Sequence, residues 1–218
     1  LKPASETPLH TYILAEILEE IGLPQGVMGI VPASREVSEH LVTHPDVGKI
    51  AFTGSTAVGK RVASLCGEAL KHVSCELGGK SAAILLDDVM LDHIITPLIY
   101  AALPNNGQTC IAQTRILVPQ SRYDEITEAL IERVRALNVG NPLDPKTEIG
   151  PLVTQYQRDR VEGYIASGLA EGAKIVLGGG RPTAMTKGWF VEPTIFVDVK
   201  SSMSIAQEEI FGPVLVIL

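Results

Sequence analysis

Segments typical of β-strands alternate with segments typical of α-helices along most of this chain, and that alternation constrains its fold more than any other feature. Residues 49–55 (KIAFTGS) form an apolar run that ends in a turn, and residues 56–70 then show helical spacing of apolar side chains. Further strands are predicted at 81–88, 115–120, 174–179 and 194–199, and further helices at 91–103, 121–138 and 156–170. Because parallel strands need a long crossover between them, the pattern predicts an α/β protein with a largely parallel sheet.

The first part of the chain is expected to form a separate domain. It contains a predicted helix at 7–22, a short β-type run at 27–31 and a helix at 36–44, all before the strand at 49–55. The turn-rich segment ELGGK, residues 76–80, separates this part from a second α/β unit. The sequence therefore predicts two domains, 1–77 and 78–218, with a ligand cleft at their junction.

Composition excludes several classes of protein. The 218 residues carry a formal net charge of -7, which argues against nucleic acid or an anionic membrane surface as the main partner. No apolar run approaches the length of about 18 residues that spans a bilayer, and three cysteines without a CxxC pair are too few for a disulfide framework. We therefore expect a cytoplasmic protein with reduced thiols. The chain begins without Met and stops inside the apolar run PVLVIL, so we also expect a piece of a longer protein.

Cys110 is the candidate nucleophile because it lies among small and polar residues, in NNGQTCIAQTR. Gly107, Thr109 and Ala112 leave room for a ligand to reach the thiol, although a buried inert thiol is the alternative. Glu76, next to two glycines at the predicted junction, is the candidate base that would activate water after acyl transfer to a thiol. A solvated turn residue is the alternative for Glu76.

Two further motifs are weaker. In FTGSTAVGK, residues 52–60, an apparent strand passes through Gly54 and Ser55 into a helix whose N-terminus could bind a phosphate. Taken alone, the motif favours an ordinary strand-to-helix turn. His40 and His44 stand four residues apart, but no third ligand accompanies them. A surface helix is the better interpretation of the histidine pair, and no metal site is predicted.

Six segments taken in order resemble the NAD(P)-dependent aldehyde dehydrogenase superfamily. They are KPASETPL, FTGSTAVGK, ELGGKSAAILLDD, NNGQTCIAQTRILV, GNPLDPKTEIGPLV and EEIFGPV. The resemblance implies a Rossmann-like coenzyme-binding part, represented by its C-terminal portion at 1–77, and a catalytic domain at 78–218 that is truncated at its end. It also implies oxidation of an aldehyde to a carboxylic acid, with Cys110 as nucleophile and Glu76 as general base. We expect Glu76 to be partly desolvated in the full-length protein, so that its pKa suits that role.

The resemblance also assigns residues to the coenzyme, NAD or NADP. They are Lys2, Ser5, Gly54, Ser55, Leu77, Gly78, Glu209 and Phe211. Lys2 would bind the adenosine ribose, Gly54 and Ser55 the pyrophosphate, and Glu209 the nicotinamide ribose. Relatives that prefer NAD often have glutamate where this chain has Ser5, so the choice between NAD and NADP stays open.

Other functions remain possible at this point. A thiol hydrolase or esterase could use Cys110 and a base without a nicotinamide, and a non-catalytic relative could serve as a structural or binding protein. The resemblance favours a homodimer or homotetramer acting on a small-molecule aldehyde. The particular aldehyde is not predicted.

Overall fold

The computed structural model describes all of residues 1–218, and the chain divides into two compact units, Leu1–Leu77 and Gly78–Leu218. Each unit contains its own β-sheet, of two strands in the first and five in the second. No helix combines the length and the apolar character that crossing a membrane requires.

The first unit is built around two parallel strands joined by a helix. Its elements are α1 (Leu9–Glu20), α2 (Arg35–Thr43), β1 (Lys49–Gly54), α3 (Thr56–Glu68) and β2 (His72–Leu77). Gly59, Val62 and Cys66 form the buried face of α3, as their helical spacing requires. A Cβ added at Gly59 would lie 2.5 Å from Leu77 Cδ2, so glycine at this position lets α3 pack closely on β2.

The strand predicted at 27–31 does not form. Only two backbone hydrogen bonds join this segment to the start of the chain: Leu1 N donates to Gly29 O (2.6 Å), and Val31 N donates to Leu1 O (2.9 Å). A ladder requires successive residues to be paired, whereas Leu1 is the one residue at the start of the chain that pairs with this segment, and Val27 N donates to Pro24 O within a local turn. The prediction was therefore wrong, although the helix predicted next is present as α2.

The second unit is a mixed five-stranded sheet with helices packed on it. Its elements are β3 (Ala82–Ile84), α4 (Leu91–Ala102), β4 (Arg115–Leu117), α5 (Tyr123–Arg135), α6 (Gln155–Ala170), β5 (Lys174–Leu177), β6 (Thr194–Val197), α7 (Ser204–Gln207) and β7 (Val214–Ile217). The strand order is β3-β4-β7-β6-β5, and every pair is parallel except β5 with β6. This arrangement confirms the predicted α/β fold with a largely parallel sheet.

The central strand β7 contributes to two hydrophobic cores, one on each face of the sheet. Leu215 and Ile217 pack in a cluster with buried residues of α4 and α5. Val214 and Val216 pack in a second cluster with buried residues of α6 and α7. Because side chains alternate across a strand, a continuous apolar run such as VLVI is what a strand covered on both faces requires.

Candidate active site

Cys110 is exposed at a turn that follows α4 and a short 3-10 helix, Pro104–Gly107. The other two cysteines differ from it, since Cys66 is buried and Cys75 is half-buried. Ala112 N donates to Thr109 O (3.1 Å), and this bond closes the turn around Cys110. The structure therefore excludes the alternative of a buried thiol.

The backbone just before Cys110 is strained. Asn105, Asn106 and Gly107 have φ values of 48°, 60° and 74°, all in the left-handed region. Asparagine tolerates this region better than most residues, and glycine adopts it freely. Such strain persists only where surrounding contacts hold the backbone, and it is common at functional sites.

Two side-chain amides provide those contacts. Gly150 N donates to Asn106 Oδ1 (2.7 Å), and Asn106 Nδ2 donates to Pro151 O (3.2 Å). Gln108 Oε1 accepts a hydrogen bond from Val153 N (3.2 Å). Residues 150–153 thus support one side of the turn in which Cys110 lies.

Gly107 fits against a second segment, residues 208–213. A Cβ at Gly107 would overlap the carbonyl oxygen of Gly212. Both the positive φ and this close approach therefore require glycine at position 107.

We predict that Gly107→Ala destabilises the protein by about 3 kcal/mol, because it combines an unfavourable φ with a backbone overlap. Urea unfolding followed by circular dichroism measures the change. Gly163→Ala is the matched control, since Gly163 lies in α6 with no atom near the added Cβ, and this substitution should stabilise by about 0.5–1 kcal/mol. Equal stability of Gly107→Ala and wild type would contradict the assigned constraint.

The segment that carries Glu209 and Phe211 is held by α6. Arg160 donates to Glu209 O (2.6 Å), and Gln157 Nε2 donates to Ile210 O (3.2 Å) and Phe211 O (2.7 Å). Three successive carbonyl groups are therefore bound by two side chains one helical turn apart. Phe211 itself has a φ of 62°, a conformation that these bonds support.

Sequence reasoning missed Gln157 and Arg160. A signal for Gln157 was nevertheless present, because it lies four residues before Val161 and eight before Ile165, on the buried face of α6. A long polar side chain on an apolar face needs a buried partner, and here the partners are backbone carbonyls.

The Glu209 side chain lies against Gly78, where an added Cβ would overlap the carboxylate. Desolvation raises the pKa of the Glu209 carboxyl above its ordinary value, and the cations Arg160 and Lys80 oppose that shift. Glycine at position 78 is thus what allows a half-buried carboxylate to occupy this place. The structure brings together Gly78 and Glu209, two residues that the family resemblance assigns to the coenzyme.

In the first unit, predicted site residues meet at the carboxyl ends of β1 and β2. Gly54 is paired with Leu77, and Glu76 is the neighbouring residue of β2. Ser55 is the N-cap of α3, where its hydroxyl accepts from Val58 N (3.4 Å). Ligands of α/β folds bind at this edge of a parallel sheet, and a helix N-terminus there suits a phosphate group.

The Glu76 side chain is exposed at the carboxyl end of β2 in this chain. Its partial desolvation is expected of the full-length protein and stays a prediction.

Lys2 and Ser5 lie near the start of the chain, far in sequence from the carboxyl ends of β1 and β2. Lys2 is half-buried, and Ser5 is exposed in a turn. Ser5 lines a depression of about 320 Å³ together with Tyr12 and Pro32. No group of three or more His, Cys, Asp or Glu side chains is placed to hold a metal ion.

The whole chain, residues 1–218, matches the aldehyde dehydrogenase family, and the protein belongs to this family. Geranial dehydrogenase from Castellaniella defragrans is 50% identical over 218 residues, covering 100% of this chain and 45% of the relative. The chain therefore spans less than half the length of this curated relative.

Solved structures of aldehyde dehydrogenases are also similar to this chain. The crystal structure of Mycobacterium tuberculosis aldehyde dehydrogenase complexed with NAD+ has 53% identity and a TM-score of 0.98, covering 100% of this chain and 45% of that one. A cysteine-to-alanine variant of aldehyde dehydrogenase C from Pseudomonas syringae, complexed with NAD+ and octanal, has 40% identity and a TM-score of 0.97, with the same coverage.

Proposed function

We propose that the full-length protein oxidises an aldehyde to a carboxylic acid with NAD+ or NADP+. The observation that carries this proposal is the exposed Cys110, held on a strained turn in a chain that matches the aldehyde dehydrogenase family throughout. Residues 1–77 would be the C-terminal portion of the coenzyme-binding domain, and residues 78–218 the catalytic domain.

The residues at the two candidate sites fit a dinucleotide. Gly54 and Ser55 would face the pyrophosphate at the N-terminus of α3, whose first N–H groups point out of the helix end. The Glu209 carboxylate would accept hydrogen bonds from the hydroxyl groups of the nicotinamide ribose. Lys2 and Ser5 would contact the adenosine ribose, and Leu77, Gly78 and Phe211 would lie beside the nicotinamide. The bound coenzyme supplies the hydride acceptor.

Cys110 and Glu76 would carry out the chemical steps in which protein side chains take part. The Cys110 thiolate attacks the aldehyde carbon and forms a thiohemiacetal, whose oxyanion accepts a hydrogen bond from the Cys110 backbone N–H. Oxidation leaves an acyl thioester on Cys110. Glu76 then takes a proton from water, which hydrolyses the thioester, releases the carboxylic acid and regenerates the thiol.

The proposed partner is a small-molecule aldehyde, in line with the octanal bound by the Pseudomonas syringae relative. Three free cysteines fit a reducing compartment, so we place the enzyme in the cytoplasm. Assembly as a homodimer or homotetramer stays a prediction.

The test is formation of reduced nicotinamide by the full-length protein with a panel of aldehydes, with NAD and NADP measured side by side. We expect aldehyde-dependent reduction with at least one coenzyme, and the ratio of the two rates shows what Ser5 selects. A folded protein that reduces neither coenzyme but hydrolyses an activated ester would instead be the thiol hydrolase. A folded protein without either activity would be a non-catalytic relative.

A further inference from the structure

The side-chain amide of Asn106 is hydrogen bonded at both ends to backbone groups more than 40 residues away. Its Oδ1 accepts from Gly150 N (2.7 Å), and its Nδ2 donates to Pro151 O (3.2 Å). The amide is thus an acceptor for one residue and a donor for the next. Two bonds from opposite ends of a planar group fix its orientation as well as its position.

The backbone that Asn106 bonds is itself held in place by buried neighbours. Ile149 and Leu152 lie on either side of Gly150 and Pro151, and each is only 2% exposed. Ile149 packs in one of the two hydrophobic clusters and Leu152 in the other. Leu152 N also donates to Trp189 O (3.0 Å). Residues 150–151 therefore form a fixed support for the amide.

Asn106 needs this support because its backbone has an unfavourable conformation. Its φ is 60°, and that of Asn105 is 48°. The Asn105 side chain bonds Gln108 O (3.3 Å), within the same turn, so it does not fix the turn relative to the core. Gln108 adds one bond to Val153 N through a longer side chain. Asn106, with two bonds, is the main side-chain link between the turn and its support.

Cys110 follows Asn106 by four residues and makes no hydrogen bond of its own to another protein group. The bonds next to it are local. Thr109 Oγ1 donates to Pro104 O (3.2 Å), and Ala112 N donates to Thr109 O (3.1 Å). The orientation of the thiol and of the Cys110 N–H is therefore set by the turn as a whole.

We propose that Asn106 is a positioning residue for Cys110: its hydrogen bonds to Gly150 and Pro151 hold the left-handed turn that orients the thiol and the backbone N–H of Cys110 toward one carbonyl group. This inference rests on the proposed function, in which the thiol attacks the aldehyde carbon and the N–H binds the oxyanion. Both steps depend on geometry, and a misplacement of about 1 Å can cost about 10²-fold in rate.

Asn106→Gly in the full-length protein tests the inference. Glycine adopts a φ of 60° freely, so this variant removes both hydrogen bonds without straining the backbone. Two reactions that begin with attack by Cys110 are followed, aldehyde-dependent NAD(P) reduction and hydrolysis of p-nitrophenyl acetate. We expect kcat/KM of both reactions to fall about 10- to 100-fold per folded molecule. The NAD dissociation constant should stay within about twofold of wild type, because no coenzyme contact is removed.

Alkylation by iodoacetamide separates the orientation of the thiol from its reactivity. An exposed thiol meets this small reagent from many directions, whereas attack on a bound carbonyl group requires one direction. Cys110 of Asn106→Gly should therefore be alkylated within about threefold of the wild-type rate, measured by mass spectrometry. A fall in alkylation as large as the fall in kcat/KM would contradict the inference, since the thiol itself would then be less reactive.

Asn141→Ala is the matched control. Asn141 is exposed, and its Oδ1 accepts from Leu143 N (3.0 Å) within its own turn. The substitution removes a bond between an asparagine side chain and the backbone, and it should leave kcat/KM at the wild-type value.

A purely structural role for Asn106 predicts a different result. The activity of Asn106→Gly would then fall only with the folded fraction, measured by circular dichroism, and kcat/KM per folded molecule would equal that of wild type. That result would overturn the inference. If Asn106→Gly does not fold, Asn106→Asp replaces it, since aspartate keeps the acceptor for Gly150 N but cannot donate to Pro151 O when ionised. Wild-type kcat/KM in that variant would likewise overturn the inference.

The ester reaction separates this inference from the proposed function, because it requires Cys110 but no coenzyme. A wild-type protein that hydrolyses the ester, loses this activity in Asn106→Gly and oxidises no aldehyde would disprove the proposed function alone. A wild-type protein that oxidises aldehydes, with full activity in folded Asn106→Gly, would disprove this inference alone.

Discussion

Cys110→Ala should lower the rate of aldehyde-dependent NAD(P) reduction by about 10⁴-fold or more, because Cys110 is the proposed nucleophile that forms the thiohemiacetal. That loss corresponds to about 5 kcal/mol of transition-state stabilisation. The rate of reduced-nicotinamide formation by the full-length protein measures it. Because the side chain is exposed, the free energy of unfolding should change by less than about 0.5 kcal/mol.

Cys75→Ser is the matched control for this prediction. Cys75 is half-buried on β2, one residue before Glu76, and has no proposed chemical role. Its replacement should leave most of the activity. Substantial activity in Cys110→Ala, or its complete loss in Cys75→Ser, would contradict the assignment of the nucleophile.

Glu76→Gln should lower the steady-state rate by about 10²–10⁴-fold, because glutamine cannot take a proton from the hydrolytic water. In the proposed mechanism, acylation of Cys110 does not need this base, so the first turnover should survive. Rapid mixing should therefore show a burst of reduced nicotinamide equal to the enzyme concentration, followed by slow turnover.

The burst distinguishes between two roles for Glu76. Loss of the burst together with the steady-state rate would show that Glu76 acts before acylation, for instance on the Cys110 thiol, and would contradict its role in hydrolysis. Glu68→Gln is the control, since Glu68 is an exposed carboxylate at the end of α3 and should behave like wild type.

Local sequence patterns predicted most of the helices and strands, because the spacing of apolar residues reflects which side chains are buried. The run VLVI of β7 is apolar throughout, and the structure shows it buried on both faces. The run at 27–31 is equally β-like, yet it forms no strand because its partner is a single residue. Strand formation depends on pairing with a distant segment, which a local pattern does not specify.

The predicted site could be named from motifs, but its supporting contacts could not. Cys110 stands out in the sequence because its neighbours are small, whereas Asn106 looks like any turn residue. Its role depends on segment 150–153, more than 40 residues away, which the fold brings into hydrogen-bond distance. Gln157 likewise holds carbonyls more than 50 residues further along the chain.

The sequence by itself determined the α/β class, the family, and Cys110 and Glu76 as candidate reactive groups, because composition, periodicity and motif order are properties of the chain. Only the tertiary structure decided that Lys80 is buried without a hydrogen-bond partner, and that Gly78 and Gly107 must lack a side chain. Burial and close approach arise when segments far apart in sequence pack together. The cost of a charge or a methyl group at one position therefore depends on neighbours that the linear order does not reveal.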